Sequence, residues 1–434
     1  MALTALIENL SHEGRGVTHI NGKAVFIDHA LTGETVEFAY KQRKRSHDEG
    51  HTLSVIENAS PHRVAPPCAH YDICGGCQMQ HVTMEHQLDH KQRALLEQLQ
   101  HFGHVTPEEV LPPLDAQSLG YRAKARIGVR YVSKKGRVLI GFRERYSPYV
   151  VDLERCLVLH PSVGERLPLL ADCISQLSCY QQIPQVEIAI GDDKPAIILR
   201  HMALLTEADQ AILTQFGEHQ GFSIYLQPNP PQPITKLFPA DGNDFLSYRL
   251  PHHNLRLDFH PADFTQINTA MNRQMIDLAL SLLTLNKDDV VLDLFCGIGN
   301  FSLPMARYAT SVTGVELSAT AVARAKHNAS LNALDNTQFF TGDLFNPDHQ
   351  AYWMKQRYTK ILLDPARTGA KEIIEHFPAL GATHIVYVSC NPATFARDAG
   401  ILVHQQGFRL VKLGIMNMFP HTAHVESIAL FLKE

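Results

Sequence analysis

The chain has 434 residues, a formal net charge of -5 and a pI near 6.6. At this length we expect roughly three domains, each with its own core. The overall charge is not that of a strongly basic nucleic-acid-binding protein. No apolar run approaches the roughly 20 residues of a membrane-spanning helix, and Glu8 falls where a signal peptide would be apolar, so the sequence predicts a cytoplasmic protein without membrane contact. Eight cysteines in that compartment indicate metal binding or catalysis rather than disulfides.

Residues 1–60 are predicted to form a small β-barrel. Short β-prone runs alternate there with Gly- and Asn-containing turns at a spacing typical of such barrels. The basic run 41–45 is predicted to be a solvated loop, with an RNA contact as the alternative.

A cysteine-bearing loop follows the proline-containing linker 65–67, and a helix is predicted from Met84 to Phe102. The loop places Cys68, Cys74 and Cys77 within ten residues, with two glycines that allow close wrapping of the backbone. Cys156 is the candidate fourth ligand. Four thiolates fit zinc or an iron-sulfur cluster, and this grouping favours [4Fe-4S] over zinc. The alternative is a set of unrelated buried cysteines, which is also our prediction for Cys173, Cys179 and Cys296.

Residues 61–250 are predicted to form a central β-rich domain, with mostly β structure between 119 and 245. Its first hairpin, residues 121–145 with a turn at 134–136, carries nine Lys and Arg against one acid. This local positive charge is suited to RNA phosphates. A break in the chain before the last domain is predicted from Pro228, Pro230, Pro231 and Pro233.

Residues 251–434 alternate strand and helix patterns regularly, which predicts an α/β domain with a doubly wound parallel sheet. Several predicted strands end in chemically active residues, and the carboxyl ends of parallel strands meet at one edge, where such folds bind ligands. These strand-end features are the turn Gly297–Gly299, Glu316, Asp343, Asp364 and Cys390.

The composition of this edge favours S-adenosylmethionine over a dinucleotide. The glycine turn lacks the third glycine of the dinucleotide fingerprint, and no lysine is placed to cradle phosphates. Glu316 is placed to accept the ribose hydroxyls of a nucleoside, and Asp343 suits an adenine amino group. S-adenosylmethionine is a nucleoside with a positive sulfonium and no phosphate.

A thiol beside a methyl donor has a specific use on uracil. Addition of the Cys390 thiolate to C6 makes C5 nucleophilic enough to take a methyl group. A base must then remove the C5 proton, and Glu426 is the candidate, with a surface carboxylate as the alternative. A metal site at His421, His424 and Glu426 is disfavoured because no further ligand has fitting spacing.

Four segments together resemble the bacterial RNA uracil-C5 methyltransferases: Asp293–Asn300, Leu363–Arg367, Val388–Thr394 and Phe419–Glu426. The resemblance covers the whole chain and is strongest to the branch that methylates uracil 1939 of 23S ribosomal RNA. It implies a doubly wound, Rossmann-like methyltransferase domain, an amino-terminal OB-like barrel of the TRAM type and a [4Fe-4S] cluster on Cys68, Cys74, Cys77 and Cys156.

The resemblance also implies roles for individual residues. Cys390 corresponds to the nucleophile and Glu426 to the base, and Phe264 is placed to stack on the flipped uracil. Arg126 and Arg130 of the basic hairpin are our candidates for RNA contact. The residues at the family's S-adenosylmethionine positions are Gln266, Phe295, Asn300, Glu316, Asp343 and Asp364.

The sequence therefore predicts a monomeric 23S ribosomal RNA methyltransferase with no obligate protein partner. One rival is a uracil-C5 methyltransferase for transfer RNA or another ribosomal site. A second is an RNA-binding assembly factor without turnover, against which the intact Cys390 and Glu426 argue. A radical S-adenosylmethionine enzyme is disfavoured because the spacing of the cysteines is not Cys-x3-Cys-x2-Cys.

Overall fold

The computed structural model describes residues 3–229 and 233–433. Two prolines of the predicted chain break, Pro230 and Pro231, lie outside the described residues. No helix among the described residues is long and apolar enough to cross a bilayer.

The amino-terminal sheet closes on itself. Its strands are β1 Leu3–Leu6, β2 Asn9–Leu10, β3 Gly16–Ile20, β4 Lys23–Asp28, β5 Thr35–Arg43 and β6 Asp48–Glu57. The order is β1-β5-β6-β4-β3-β2, and β1 and β2 are two parts of one segment, so this segment pairs with both β5 and β3 and completes a barrel. Most of the basic run 41–45 is strand rather than the predicted loop, because β5 continues to Arg43.

Between the barrel and the central sheet, the chain first forms helix α1, Met84–Gln98, which continues as a π-helical turn, Leu99–Gly103. The short strand β7, Glu109–Val110, follows and pairs in parallel with a strand of the carboxy-terminal sheet. Leu95 and Leu99 pack into the core of that same sheet. This segment therefore packs against the carboxy-terminal sheet.

The central sheet has the order β13-β12-β11-β10-β8-β9. Its elements are β8 Lys124–Val132, β9 Arg137–Gly141, α2 Pro161–Gly164, α3 Leu167–Ser175, β10 Gln185–Ile190, β11 Pro195–His201, α4 Glu207–Gln220, β12 Ser223–Pro228 and β13 Thr235–Phe238. The hairpin turn at 134–136 is confirmed. Helices α3 and α4 were missed by the sequence analysis.

Helix α4 has clear end signals in the sequence. The Thr206 hydroxyl accepts a hydrogen bond from the Asp209 N–H at 3.1 Å, and the Asp209 carboxylate accepts one from the Thr206 N–H at 2.9 Å. This pair is a capping box, and Gly221 ends the helix with φ +72°. The helix joins the parallel strands β11 and β12.

The carboxy-terminal part begins with a hairpin, β14 Leu246–Leu250 and β15 Leu255–Phe259, and helix α5, Thr269–Leu283. The large sheet then has the order β18-β17-β16-β19-β20-β22-β21-β7. Its elements are β16 Val290–Leu294, α6 Ser302–Ala306, β17 Ser311–Glu316, α7 Ala319–Leu331, β18 Thr337–Thr341, β19 Lys360–Leu363, α8 Lys371–Ile374, α9 Phe377–Leu380, β20 His384–Ser389, α10 Pro392–His404, β21 Arg409–Met416 and β22 Glu426–Leu432.

The first five strands of the large sheet, β16 to β20, are parallel, and apolar cores cover both faces. Strand β22 runs antiparallel to both β20 and β21. The prediction of a parallel sheet is therefore corrected to a mixed sheet. Its antiparallel strand starts at Glu426, beside the end of β20, which brings Glu426 to the edge that carries Cys390.

Candidate active site

The residues predicted from strand ends do meet at one edge of the large sheet. The glycine turn follows β16, Glu316 ends β17, and Asp364 follows β19. Cys390 follows β20, whereas Asp343 follows β18 at the outer end of this row. This is the arrangement expected of strands that are buried on both faces and change to polar residues where they leave the core.

The turn after β16 is held in a backbone conformation that favours glycine. Gly297 and Gly299 have φ of +54° and +92°, and Phe295 also has a positive φ of +63°. The Gly297 N–H donates to the Glu316 Oε2 at 3.2 Å, and the other oxygen of Glu316 accepts from the Ser318 N–H at 2.9 Å. Glu316 is thereby fixed beside the turn.

Asn300 is oriented by a buried polar network. Its Oδ1 accepts from the Tyr248 hydroxyl at 2.8 Å and from Asn272 Nδ2 at 3.0 Å, while its Nδ2 donates to Asn272 Oδ1 at 2.9 Å. Tyr248 lies on β14 and Asn272 on α5, so the hairpin before the sheet helps to build the edge.

The predicted adenine-binding end of the row is open. Asp343 is exposed and accepts from the Phe345 N–H at 2.9 Å. The rings of Phe295 and Phe345 lie 5.9 Å apart at an angle of 56°. Together they form a partly apolar wall beside a carboxylate, which suits the face and the amino edge of a purine.

Three carboxyl groups near the turn are held in surroundings that favour their neutral forms. Burial, with a contribution from Asp364 and Glu316, raises the pKa of Asp293 to about 8, and one of its oxygens has no hydrogen-bond partner. Burial raises the pKa of Asp364 to about 7, although Gln266 donates to its Oδ2 at 3.3 Å. Burial and the neighbouring Asp364 raise the pKa of Glu426 far above its usual range. Such a group of acids attracts a cation.

Cys390 faces a cleft between the barrel, the cysteine loop and the large sheet. The cleft has a volume of about 910 Å³ and is also lined by Arg367 and His424. Enclosure, with Glu426 and Asp364, raises the pKa of the Cys390 thiol to about 11, and Arg367 opposes this effect. The thiol, an acid with a high pKa and a guanidinium thus occupy one site, which can support nucleophilic addition followed by proton removal.

Arg367 is the functional residue that sequence reasoning passed over, although it stands within one of the motifs. Its backbone oxygen accepts from Asn391 Nδ2 at 2.9 Å and from the Thr394 hydroxyl at 3.1 Å. Asn391 also caps the helix α10. The loop after β19 is therefore fixed directly to the residues that follow Cys390.

The far wall of the cleft contains charged residues of both signs. Arg145 lies 3.5 Å from Asp28 of the barrel, whose Oδ2 also accepts from the Tyr146 hydroxyl at 2.6 Å. Arg15 lies 3.5 Å from Glu49 and 3.8 Å from Asp28. The contacts of Arg145 and Tyr146 with Asp28 join the central domain to the barrel, whereas those of Arg15 lie within the barrel.

Three predicted RNA contacts lie outside this wall. Phe264 is 75% exposed and lies on the loop before Gln266. This loop is held to the central domain by a hydrogen bond from the Ala123 N–H to the Ile267 oxygen at 2.7 Å. Arg126 and Arg130 are exposed on one face of β8, and Arg126 pairs with Glu187 at 2.9 Å. Neither arginine lines the cleft, whereas Arg143 and Arg145 at the far end of the hairpin region do.

The four cysteines of the predicted cluster line one small cavity together with Phe142 and Leu153. A Cβ at Gly76 would approach the Phe142 ring to 3.2 Å, so a side chain there would require the ring to shift by a few tenths of an ångström. Among the described residues, no group of three or more His, Cys, Asp or Glu side chains is drawn together tightly enough for a single metal ion. The four thiols nevertheless share one cavity, as the prediction of a common four-thiolate centre requires.

The other three cysteines, Cys173, Cys179 and Cys296, are buried and do not line this cavity, as predicted. Cys173 lies on α3 in the central core.

Comparison with known proteins supports the same family. The profile of the tRNA (uracil-5-)-methyltransferases matches residues 242–434. The 23S rRNA (uracil(1939)-C(5))-methyltransferase RlmD of Hahella chejuensis is 50% identical over 100% of this chain and 97% of its own length. The protein of the same name from Alcanivorax borkumensis is 48% identical over 99% of this chain and 96% of its own.

A solved structure shares the fold. The tRNA (uracil-54, C5)-methyltransferase of Pyrococcus abyssi, in complex with S-adenosyl-L-homocysteine, superimposes with a TM-score of 0.72 over 99% of this chain and 100% of that one, at 22% identity. With near-complete coverage at about half identity by the bacterial relatives, this chain belongs to the family of the 23S rRNA (uracil(1939)-C(5))-methyltransferases.

Proposed function

We propose that the protein methylates C5 of one uridine in 23S ribosomal RNA, the site named for uracil 1939, with S-adenosylmethionine as methyl donor. The observation that carries this proposal is that the Cys390 thiol, which lines the cleft, lies close enough to Glu426 and Asp364 at the sheet edge for both to raise its pKa. Full-length similarity to relatives named for this reaction supports the choice of substrate.

The proposed reaction uses two residues of the chain in sequence. The Cys390 thiolate adds to C6 of the uracil, and the electrons move to give an enolate. Carbon 5 then takes the methyl group from the sulfonium, which leaves as a neutral thioether. Glu426 accepts the C5 proton, and the returning electron pair expels Cys390. The base must be flipped out of its stack, because both ring carbons have to be reached.

The surroundings of the two residues suit these tasks. A thiol with a raised pKa forms a strong nucleophile once ionised, and Arg367 favours its thiolate. Once ionised, a carboxylate whose pKa is raised by burial is a stronger proton acceptor than an exposed one. A bound sulfonium favours the ionised forms of the nearby acids Asp293 and Asp364, whose pKa values burial otherwise raises to about 8 and about 7.

For the methyl donor we propose binding along the row of strand ends. Glu316 is placed for the ribose, Phe295 and Asp343 for the adenine, and Gln266 with Asp364 for the end near the sulfonium. Asn300 completes the set from its network with Tyr248. A cationic nucleoside without phosphate matches this donor set, which has acids and no lysine.

For the cysteine loop we propose a [4Fe-4S] cluster on Cys68, Cys74, Cys77 and Cys156, which would supply a structural cross-link between the loop and the central sheet. The proposal is supported by the four thiols, which line one cavity.

For RNA binding we propose that the barrel, of the TRAM type, and the central domain grip the substrate, with Phe264 stacking on a base and Arg126 and Arg130 on phosphates. We propose that the barrel comprises residues 1–60, the central domain residues 61–250 and the methyltransferase domain residues 251–434. We propose a monomer that works in the cytoplasm, where ribosomal RNA is made.

The deciding experiment is methylation by the purified protein of a 23S ribosomal RNA fragment around the target uridine, with transfer RNA as the competitor. Methylation of the ribosomal fragment alone is expected. Equal methylation of transfer RNA would favour the rival substrate. RNA binding without methylation would favour the assembly factor. Loss of one 5-methyluridine from 23S ribosomal RNA in cells without the gene would confirm the target.

A further inference from the structure

The candidate base stands at the end of an irregular loop. Residues 417–425, the 417–425 loop, join β21 to β22, and Glu426 is the first residue of β22. Within the loop His421 has a φ of +64°, a left-handed conformation that a residue other than glycine adopts only when its surroundings hold it there. The position of Glu426 therefore depends on what fixes this loop.

Two polar side chains of helix α1 supply that support. Lys91 donates from Nζ to Asn417 Oδ1 at 2.9 Å and to the Phe419 backbone oxygen at 3.0 Å. Gln87, one turn earlier, accepts from the His421 N–H at 3.0 Å. The spacing of four residues places both side chains on the same face of the helix.

The same helix face also holds the cysteine loop. Gln87 Nε2 donates to the backbone oxygens of Met79 at 2.9 Å and Val82 at 2.8 Å. The N–H groups of Gln78 and Met79 in turn donate to the His421 oxygen, both at 2.9 Å. One residue of α1 thus joins the segment after Cys77 to the middle of the 417–425 loop.

A lysine in this position needs an explanation, because ammonium groups are rarely buried. Lys91 is only 1% exposed, and Gln87 is fully buried. The ammonium forms no ion pair with any of the described residues and donates to an amide oxygen and a backbone carbonyl. Asn417 links Lys91 to an acid, because its Nδ2 donates to Asp115 Oδ1 at 2.8 Å. An apolar side chain would fill the same space at lower cost in desolvation, so the gain lies in fixing the loop.

We propose that Lys91 and Gln87 are positioning residues, which hold the 417–425 loop so that the Glu426 carboxylate stays beside Cys390. This inference rests on the proposed function for the role of Glu426. It assigns no direct contact with RNA or methyl donor to either residue. Its consequence is that loss of the bracing contacts slows the removal of the C5 proton more than it slows methyl transfer.

The test compares Lys91→Met with Lys360→Met. Lys360 is the control, because it is also buried, donates to the backbone oxygens of Leu283 and Thr284 at 2.7 and 2.9 Å, and lies at the start of β19, at the opposite edge of the sheet from the cleft. It differs from Lys91 in pairing with Asp289 at 3.0 Å. Hydrogen exchange of peptides that cover the 417–425 loop measures how firmly the loop is held, independently of enzyme activity. The covalent protein–RNA adduct on a denaturing gel measures proton removal.

In Lys91→Met we expect the rate of amide exchange in the loop to rise about tenfold or more. The methylated protein–RNA adduct should accumulate, and the affinity for S-adenosylmethionine should stay unchanged. Lys360→Met should leave both the exchange rate and the adduct level unchanged. Equal loop exchange in the two variants, or product release by Lys91→Met at the wild-type rate, would overturn the inference.

A second variant covers the case in which Lys91→Met does not fold. Gln87→Leu removes the bond to the His421 N–H and should show the same two effects, and its failure to do so would count against the inference equally. A wild-type protein that does not methylate the ribosomal fragment would contradict the proposed function instead. The exchange measurement would still decide whether α1 holds the loop.

Discussion

Replacement of Glu426 by Gln tests the assignment of the base. The side chain is 3% exposed, and the amide keeps its shape but accepts no proton at neutral pH. A positioned general base accelerates a reaction by about 10² to 10⁴-fold, which corresponds to roughly 3 to 5 kcal/mol of barrier. We therefore expect Glu426→Gln to release 5-methyluridine about 10² to 10⁴ times more slowly than the wild type.

The methyl transfer that precedes this step should remain. Incubation of Glu426→Gln with ribosomal RNA and methyl-labelled S-adenosylmethionine should give a labelled protein–RNA band on a denaturing gel. The double variant Cys390→Ala/Glu426→Gln is the control and should give no band, because the covalent bond is absent. Product release by Glu426→Gln at the wild-type rate would refute Glu426 as the base.

Stability against pH separates this effect from misfolding. Burial and Asp364 raise the pKa of Glu426 in the folded state, so between the unfolded value of about 4.3 and the folded value the native protein binds more protons than the unfolded chain. The stability of the wild type therefore falls as pH rises through this range. Glu426→Gln lacks this titration, and its melting temperature relative to the wild type should rise from about pH 5 to about pH 8. A relative fall would contradict the burial argument.

Three further outcomes are expected. Cys390→Ala should bind S-adenosylmethionine and RNA nearly as well as the wild type but lose methylation, and turnover in this variant would exclude the covalent step. Protein purified without oxygen should be brown with about four irons, and Cys77→Ala should bleach it whereas Cys173→Ala should not; a colourless protein with one zinc contradicts the cluster. Neutralising Arg126 and Arg130 should weaken RNA binding and lower its salt slope by about two, with unchanged cofactor affinity, and an unaltered slope would remove both from the interface.

The parallel strands and their end residues were predictable from the sequence. Strand β17 ends at Glu316 and β18 ends two residues before Asp343, because strands buried on both faces read as apolar runs that stop at polar or glycine residues. Parallel direction then places all carboxyl ends at one edge. The meeting of Glu316, Asp364 and Cys390 follows from these two facts alone.

The direction of the last strand was not predictable. Residues 428–432 are apolar throughout, and such a run carries no information on whether the strand is parallel or antiparallel to its neighbour. Helix α4 was missed for another reason, since its capping box at Thr206 and Asp209 was readable, but the β-prone runs on both sides dominated the pattern.

Polar partners far apart in the chain also escape sequence reasoning. Lys91 lies in a helix that otherwise reads as amphipathic, where a lysine is normally solvated. Its partner Asn417 is 326 residues away, so only the tertiary fold shows that the ammonium is buried. For the basic hairpin, the sequence shows the charge but not which arginines line the cleft, which are Arg143 and Arg145.

The distribution of charge around the cleft bears on how the RNA is chosen. Addition to C6 and methylation of C5 suit any accessible uracil, so discrimination among RNAs depends on the walls of the cleft. Arg15 and Arg145 come from the barrel and the central domain, and both lie near Asp28. A phosphate that binds either arginine must compete with the Asp28 carboxylate. An RNA that places only one phosphate near these arginines therefore gains little binding free energy. A folded RNA segment can place phosphates at both arginines while the target base lies at Cys390, and each of these contacts then adds to the binding free energy. This requirement favours a structured RNA over an arbitrary single strand.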